Sequence, residues 1–459
     1  MRGTAGQSMF YRAVWRWHFF AGLLVLPFLV LLAVTGGMYL FKPELDHALY
    51  REMIDVPARG GPVASVDTSV RNVEDALHGR VEQITLPERP DRSLRLLVRT
   101  ASGEPRTAFA DPYDGRYLGS TVFGGALQIV RKVHSLQYFG FWASSLIEIA
   151  AGWAIVLVGT GLFLWWPRGQ GGGVVTLRGS PRARTFWRDL HAVTGAFAAV
   201  FVLFLAFTGM PWSMFWGDHV QKWATDANLN MPAPPADVIP SWMLSATMPG
   251  MNHAPHSNDE LRHALPWALE HAPVPQSGVA PAIEIGLDAA IARFDALGLP
   301  RPFNVQPPEG PRGAYVGSYT PDQADGERTV YLDRAGAVLG DVGYADYGVA
   351  AKAIEWGIMV HQGQQYGPIN RYLMLAACVA IVVLSISAVT MWWKRRPTGR
   401  LAAPDADRKS LWAVGAIVAV PAIVFPLLGA SLVVALACDW SWSRLRAARA
   451  TPARLSGAD

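Results

Sequence analysis

Charged side chains are scarce in this chain of 459 residues. Lys, Arg, Asp and Glu make up 17% of it, against about 25% in ordinary soluble domains, whereas hydrophobic residues make up 51%. That balance excludes a disordered protein and a compact cytosolic enzyme. The formal net charge is only +4, which also argues against nucleic acid as a partner. The composition instead indicates an integral membrane protein with substantial soluble parts.

Cysteine and the common cofactor motifs are equally sparse. The two cysteines, Cys378 and Cys438, lie in apolar runs, so no disulfide framework is predicted and covalent c-type haem attachment is excluded. There is no P-loop and no His-Glu-x-x-His. The glycine-rich stretch 169–173 follows a predicted helix rather than a strand, so it indicates a flexible loop and not a dinucleotide site. The sequence therefore shows no binding site for NAD(P)H or flavin, and if the protein transfers electrons, their donor is expected to be a separate molecule.

Long apolar segments are abundant. A bilayer requires about 20 apolar residues, and Trp clusters at the segment ends as in an interfacial belt. The first segment is too long for a signal peptide and lacks a cleavage pattern, so we interpret it as a retained anchor. The candidate spans are Phe19–Phe41, Phe141–Trp166, His191–Phe215, Tyr372–Trp393 and Leu411–Cys438.

The distribution of Lys and Arg predicts the orientation of these spans. Basic residues concentrate in the N-terminal tail and in two loops, 167–188 and 394–410, which we expect to be cytoplasmic. The fifth segment is interrupted by Pro421 and Pro426. We interpret it as a fifth span, although this places an arginine-rich tail outside; the alternative is a re-entrant hairpin bent at its prolines.

These boundaries predict a multi-pass α-helical membrane protein with two large outer regions. The predicted parts are 1–41, the tail and first span; 42–140, an outer domain and outer helix; 141–166, the second span; 167–188, a basic loop; 189–215, the third span; 216–368, a second outer domain with an insertion and an outer helix; 369–393, the fourth span; 394–410, a loop; 411–438, the fifth span or re-entrant segment; and 439–459, the tail.

The strongest pattern is an internal duplication. Around the first and third segments, a histidine is followed by Gly at +4, Thr at +17 and Gly at +18. Around the second and fourth, a histidine is followed by Gly at +6 and by a Trp pair at +31 and +32. A duplicated pair of spans, forming a four-helix bundle plus a fifth helix, is predicted. The matched residues are His18, Gly22, Thr35 and Gly36 with His191, Gly195, Thr208 and Gly209, and His134 with His361.

The two outer regions repeat as well. Each reads as a helical run, a strand, a turn and a second strand, with Asp-Gly or Ala-Gly in the hairpin turn. We therefore predict two small α+β domains, one in each half. The helical runs are near Val73–Leu77 and at Leu287–Leu297, and the first strands are Leu94–Val98 and near Ala314–Ser318.

The duplicated histidines suggest a bound metal group. Equivalent spans run in the same direction, so His18 and His191 share the inner depth of the membrane, and His134 and His361 share the outer depth. Residues at i, i+4 and i+18 lie on one helical face, so the glycines at these offsets leave room for a flat ligand. A porphyrin held by two axial imidazoles needs this arrangement. Four basic side chains are candidates to pair with haem propionates: Arg16, Arg188, Arg131 and Lys132.

The spacing on the outer side predicts short helices. A continuous helix from His134 to Trp166 would be about 48 Å long, which is more than a bilayer requires. A break is therefore expected near Phe139-Gly140, and in the repeat near Gly367-Pro368. Each outer histidine would then lie on a short helix over the mouth of the bundle.

Other interpretations of these residues stay open. The four histidines could be interfacial residues that anchor helix ends, or part of a metal-ion or proton pathway that uses Glu148. His47 and His219 are alternative outer ligands. A histidine- and methionine-rich stretch could touch a metal-bearing substrate or be a solvated loop; it contains His253, His256 and His263 near Met243, Met248 and Met251.

Several motifs resemble those of the PepSY-associated transmembrane proteins, also called iron-regulated membrane proteins. The resemblance covers roughly residues 10–397. The matching motifs are Arg16-Trp17-His18, Thr35-Gly36, the hairpin Asp111–Gly119, Trp187–His191, Thr208–Ser213, Pro266–Glu270 and Trp392–Arg396.

The resemblance implies an inner-membrane protein of bacteria with its large loops, which look like PepSY domains, in the periplasm. Members include reductases that bind b-type haem and reduce ferric siderophores. We therefore predict two b haems, the inner one held by His18 and His191 and the outer one by His134 and His361. Electrons would pass from a quinol or a cytoplasmic reductase to a ferric chelate. The alternatives are a non-catalytic protein that interacts with a periplasmic protease or a transporter, and a metal-ion transporter.

Overall fold

A computed structural model describes residues 8–61, 63–169, 172–213, 215–227, 284–310, 312–395 and 405–450, with the single positions 229, 266, 268, 269, 275 and 277. The chain divides into two compact units. The first, here called the helical unit, comprises residues 1–35, 133–220 and 375–459. The second, the sheet unit, comprises residues 36–132 and 221–374.

Helices dominate the described residues, and strands occur only between residues 79 and 343. The helices are α1 (Met9–Tyr39), α2 (Lys42–Ile54), α3 (Val66–Leu77), α4 (Gly125–His134), α5 (Phe141–Trp165), α6 (Arg184–Gly209), α7 (Trp216–Asp226), α8 (Gly286–Ala296), α9 (Val349–His361), α10 (Gly367–Arg395), α11 (Arg408–Val424) and α12 (Pro426–Ala450). The strands are β1 (Gly79–Thr85), β2 (Leu94–Thr100), β3 (Pro105–Ala110), β4 (Tyr117–Val122), β5 (Asn304–Gln306), β6 (Tyr315–Tyr319), β7 (Arg328–Leu332) and β8 (Val338–Gly343).

Four helices are long and apolar enough to cross a membrane: α1, α5, α6 and α10. They coincide with the first four predicted spans, so this part of the prediction is confirmed. The helices extend past the apolar segments. α1 begins at Met9 rather than at Phe19, because a polar stretch next to a span can continue the same helix outside the bilayer.

The fifth apolar segment forms two helices rather than one span. α11 ends at Val424, Phe425 has extended backbone angles, and α12 begins at Pro426. A Cβ on Gly429 would lie 3.0 Å from the carbonyl oxygen of Ala422, so the chain folds back on itself at this point. Residues 408–450 are therefore a helical hairpin, which matches the predicted alternative of a segment bent at its prolines.

The core of the helical unit joins this hairpin to two of the spans. Trp153 of α5 donates a hydrogen bond from Nε1 to Ser431 of α12 at 2.9 Å, and its ring stacks on Trp17 of α1 at 6.2 Å. Leu428 of α12 is fully buried, and a Cβ on Gly152 of α5 would lie 3.0 Å from it. The small residue thus permits close approach of the hairpin to α5.

The strands of the sheet unit form one antiparallel sheet of eight strands, in the order β4-β3-β2-β1-β5-β6-β7-β8. The central pair joins the two halves of the chain through Ile84 opposite Val305 and Thr85 opposite Asn304. Helices α3 and α8 both pack on its core. The predicted helices, strands and hairpins are confirmed, but the two predicted domains share this single sheet. The strands β1 and β5 were not predicted.

The outer helices are broken where the spacing predicted. α4 ends at His134, a short 3-10 turn follows at Gln137–Phe139, and Gly140 has φ +89° before α5 begins. In the second half, α9 ends at His361, and Gly367 has φ +61° where α10 begins. A positive φ favours glycine, so each break has a residue suited to it.

Candidate functional site

The structure brings His18 of α1 and His191 of α6 together inside the helical unit. Their ring centroids are 6.4 Å apart and their planes are nearly perpendicular, at 85°. The two residues are 173 positions apart in the chain and occupy equivalent places in the predicted repeat. This pair is the centre of the candidate site.

The ring nitrogen Nδ1 of His18 faces a hydroxyl of α5, since it lies 2.9 Å from Oγ1 of Thr160. That hydroxyl donates its only hydrogen to the carbonyl oxygen of Val156, at 2.7 Å. A hydroxyl has one donor and two acceptor sites, so Thr160 accepts a hydrogen bond from His18. Nδ1 of His18 therefore carries the proton, and Nε2 is left as a bare nitrogen.

The environment of His191 leads to the same protonation pattern. Its Nδ1 lies 3.1 Å from the carbonyl oxygen of Leu384 and 3.1 Å from the hydroxyl of Ser387, both on α10. A carbonyl oxygen only accepts, so Nδ1 of His191 carries the proton as well. The Ser387 hydroxyl in turn donates to Leu384 at 2.9 Å. Nε2 of His191 is thus also the nitrogen with a free lone pair.

His134, at the end of α4, has an equivalent partner in α1. Its Nδ1 lies 2.8 Å from the hydroxyl oxygen of Thr35, and that hydroxyl donates to the carbonyl of Leu31 at 2.6 Å. Nδ1 again carries the proton. Burial lowers the pKa of His134 to about 4, so its ring is neutral at neutral pH and Nε2 can act as a ligand.

His361, the fourth predicted ligand, is the last residue of α9 in the sheet unit and is partly buried. The competing outer histidines are engaged elsewhere. Nε2 of His47 lies 3.0 Å from a carboxylate oxygen of Asp55, and His219 bonds the carbonyl of Phe215 through Nδ1 at 2.7 Å. His219 is also exposed, whereas His18 and His191 are half-buried.

The predicted glycines have differing surroundings. A Cβ on Gly22 would lie 3.8 Å from Leu157, and one on Gly195 would lie 3.5 Å from Leu384, so both glycines face a neighbouring helix. Gly36 lies within α1 and Gly209 is the last residue of α6. The glycine nearest to a histidine was not predicted.

That glycine is Gly161, the residue that follows Thr160 in α5. A Cβ there would lie 3.1 Å from Cε1 of His18, which is tighter than ordinary van der Waals contact. Glycine at this position therefore leaves the space that the imidazole of His18 occupies. The hydroxyl residues Thr160 and Ser387 could have been found from the sequence. Each lies 26 residues after a duplicated histidine, Thr160 after His134 and Ser387 after His361.

Two of the predicted propionate partners, Arg188 and Arg16, have other contacts within the helical unit. The guanidinium of Arg188 donates to Asp189 at 2.6 Å and 3.0 Å. Asp189 is fully buried and also accepts two hydrogen bonds from the guanidinium of Arg178. The guanidinium of Arg16 lies 5.2 Å from the ring centre of Phe20. These contacts place positive charge at the basic end of α6, next to His191.

Glu148 of α5 has a different role from the one considered for an ion pathway. It is 2% exposed, and its Oε2 accepts the backbone N–H groups of Phe215 and Trp216 at 3.2 Å and 3.1 Å. These N–H groups lie at the start of α7, one just before it and one on its first residue, where a carboxylate stabilises a helix. In the described ranges, no group of three or more His, Cys, Asp and Glu side chains could hold a metal ion. The stretch with His253, His256 and His263 lies outside the described residues.

The separation of the His18 and His191 rings matches that of two imidazoles that share one metal ion. Two imidazoles that bind one metal ion from opposite sides have ring centres about 6 Å apart, because each metal–nitrogen bond is about 2 Å long and each ring centre lies about 1 Å beyond. The observed separation is 6.4 Å. Both rings also present a bare Nε2, which is the tautomer that ligation requires.

The spans and the sheet together define a multi-pass membrane protein with a separate antiparallel sheet region. The chain belongs to the family described as the PepSY-associated TM region, whose model matches residues 15–395. This range contains the eight strands, the spans α5, α6 and α10 and all of α1 except its first six residues, and it ends before the helical hairpin α11–α12. A search of curated proteins found no match to the chain.

Proposed function

We propose that this chain is a b-type membrane cytochrome with two haems. His18 and His191 would hold the inner haem, and His134 and His361 the outer one. The observation that carries this proposal is the facing pair His18 and His191, with ring centroids 6.4 Å apart and both Nδ1 atoms engaged by helix oxygens. Interfacial histidines that only anchor helix ends have no reason to face each other in this tautomer.

The chain's own residues would bind and orient the cofactor. Nε2 of each histidine would supply a ligand, and the hydrogen bond at Nδ1 would fix the plane and tautomer of His18, His191 and His134. Bound haem supplies one-electron transfer. The spans α1, α5 and α6 are apolar, so in a membrane they would keep water away from a haem bound at the inner histidines. Arg188 and Arg16 contribute positive charge near the same end.

The substrate that we propose is a ferric siderophore or a similar ferric chelate. Reduction would release the metal, because Fe(II) binds hard oxygen ligands more weakly than Fe(III) does. Basic residues concentrate near the start of α1 and in the loop between α5 and α6, which favours a cytoplasmic location for these two segments. The sheet unit would then face the periplasm of a bacterial inner membrane. A quinol or a cytoplasmic reductase would supply the electrons.

The first test is a spectrum of the purified chain. Reduced-minus-oxidised difference spectra should show the Soret and alpha bands of b-type haem, and pyridine haemochrome analysis should give two haems per chain. Variants His18→Ala and His191→Ala should each lose one haem. The control is His78→Asn, because His78 is an exposed residue in a left-handed conformation that asparagine tolerates.

Absence of haem bands in the wild-type protein would refute this proposal. It would favour the non-catalytic alternative, in which the sheet unit interacts with a periplasmic protease or a transporter. Cross-linking of the full-length protein in intact cells would then identify that partner. Ion flux in proteoliposomes without any reductant would instead favour the transporter alternative.

A further inference from the structure

Three of the predicted ligands, His18, His191 and His134, share one feature besides that role. Each Nδ1 atom contacts a side-chain hydroxyl that belongs to a different helix: Thr160 for His18, Ser387 for His191 and Thr35 for His134. Each hydroxyl also donates to a backbone carbonyl three or four residues earlier in its own helix. The hydroxyl group is thus held as an acceptor that points its lone pairs at the ring.

These hydroxyls recur in both halves of the chain. Thr160 and Ser387 occupy the same place relative to the duplicated histidines, and Thr35 has its counterpart in Thr208. Thr208 donates to the carbonyl of Phe204 at 2.7 Å, as Thr35 does to Leu31. Serine and threonine commonly bond to their own helix in this way, but only the tertiary structure places three of them against imidazoles.

We propose that Thr160, Ser387 and Thr35 are positioning residues that lock each histidine in the tautomer with a bare Nε2 and thereby tune the reduction potential of the centre it binds. The inference rests on the proposed function for its redox part. An acceptor at Nδ1 withdraws the N–H proton and makes the imidazole a stronger electron donor to a metal. A stronger donor stabilises the oxidised metal, so each hydroxyl lowers the potential.

The two inner histidines should respond unequally to loss of their hydroxyl. Nδ1 of His18 has one hydrogen bond, to Thr160 at 2.9 Å, and a weaker interaction with the backbone of Leu157. Nδ1 of His191 lies at 3.1 Å from both the Ser387 hydroxyl and the carbonyl oxygen of Leu384. Removal of the Ser387 hydroxyl leaves that carbonyl in place. Thr160→Val should therefore raise the midpoint potential of the inner haem by more than Ser387→Ala does.

The matched control is Thr390→Val. Thr390 lies on α10, is exposed and donates to the carbonyl of Ile386 at 2.8 Å, so its hydroxyl makes the same backbone contact. Thr160→Ser restores the hydroxyl without the methyl group. Expected results are full haem content in all variants, a higher potential in Thr160→Val, a wild-type potential in Thr160→Ser and Thr390→Val, and an altered low-spin EPR signal in Thr160→Val alone.

Two results would overturn the inference while leaving the proposed function intact. One is an unchanged potential in Thr160→Val with both haems bound, and the other is an equal shift in Thr390→Val. The tautomer can also be measured without haem, by NMR of the apoprotein with 15N-labelled histidine. A proton on Nε2 of His18 and His191 would overturn the inference whatever the haem content is. Absence of haem from the wild type would refute the proposed function, and with it the effect on the potential, but not the assignment of the tautomer.

Discussion

Nδ1 of His134 lies 2.8 Å from the hydroxyl oxygen of Thr35, which is 99 positions earlier in the chain. This bond ties the end of the short helix α4 to the membrane-spanning helix α1. The contact thus determines where an outer histidine is held relative to the span.

Removal of that contact should loosen α4. Thr35→Val leaves the Nδ1–H of His134 without its acceptor, and an unsatisfied buried donor costs about 1–3 kcal/mol. We expect faster hydrogen exchange over residues 125–134 in Thr35→Val, measured by mass spectrometry in detergent, and wild-type exchange in Thr35→Ser. Equal rates in the wild type and in Thr35→Val would contradict this role.

Double substitutions should separate the two proposed haem centres. His18→Ala and His191→Ala act on one centre, so the double variant should lose one haem, as each single variant does. The pair His18→Ala and His134→Ala should lose both haems. Pyridine haemochrome assays measure the stoichiometry. Loss of two haems from the His18/His191 double variant would show that these residues serve separate centres.

Glu148 should stabilise the start of α7. Its carboxylate accepts the N–H groups of Phe215 and Trp216, and loss of a buried acceptor costs about 1–3 kcal/mol for each group left unsatisfied. Glu148→Ala should lower the thermal unfolding temperature by more than Glu148→Gln, which keeps one acceptor oxygen. Unfolding followed by a thiol-reactive dye at the native cysteines measures this. Equal unfolding temperatures in Glu148→Ala and Glu148→Gln, or a lower one in Glu148→Gln, would contradict this role of the acceptor oxygen.

The helical hairpin α11–α12 should return the C-terminal tail to the side from which it entered. The test uses the single substitutions Asp405→Cys and Ser456→Cys in a background without Cys378 and Cys438. Both introduced cysteines should react only with a reagent that reaches the cytoplasm. A cysteine at Ser102, in the turn between β2 and β3, should react from the periplasm. Labelling of Ser456→Cys from the periplasm would show that the segment crosses the membrane.

The sheet unit should lose stability as the pH rises. Glu327 and Glu355 are 3% and 2% exposed; burial, and then the neighbouring Glu355, raise the pKa of Glu327 to about 9. An unfolded glutamate titrates at about 4.5. The folded form therefore keeps its proton while the unfolded form loses it, and stability falls between about pH 4.5 and pH 9.

Glu327→Gln mimics the protonated acid and should flatten this dependence. We expect the variant to unfold at a higher temperature than the wild type at pH 8, with little difference at pH 4.5, in thermal melts of the full-length protein. Glu309→Gln, an exposed carboxylate in the same unit, serves as the control. A Glu327→Gln variant that is less stable than the wild type at pH 8 would mean that the folded protein uses the charged form.

Local patterns predicted most of the elements but not their pairing. The apolar segments around His18 and His191, and the breaks at Gly140 and Gly367, follow from length and glycine placement and are present in the structure. The strand β5 has only three residues, too few for an alternating pattern to be visible. Its pairing with β1 joins the two halves of the sheet, and no local signal encodes that.

The site shows the same division. The repeated spacing singled out His18, His191, His134 and His361 as candidates, but Thr160, Ser387 and Gly161 were missed. A threonine that bonds to its own helix looks the same in the sequence whether or not an imidazole lies beside it. The salt bridge between Arg188 and Asp189 was likewise not expected from spacing.

By itself, the sequence determined the membrane class, the four spans and the family, because these depend on composition, segment length and motifs along the chain. Only the tertiary structure decided that His18 faces His191, that each Nδ1 finds a hydroxyl on another helix, and that residues 408–450 turn back at Phe425. These relationships depend on which helices pack together. The free energy of such packing depends on side chains that are hundreds of positions apart, so no local pattern can report it.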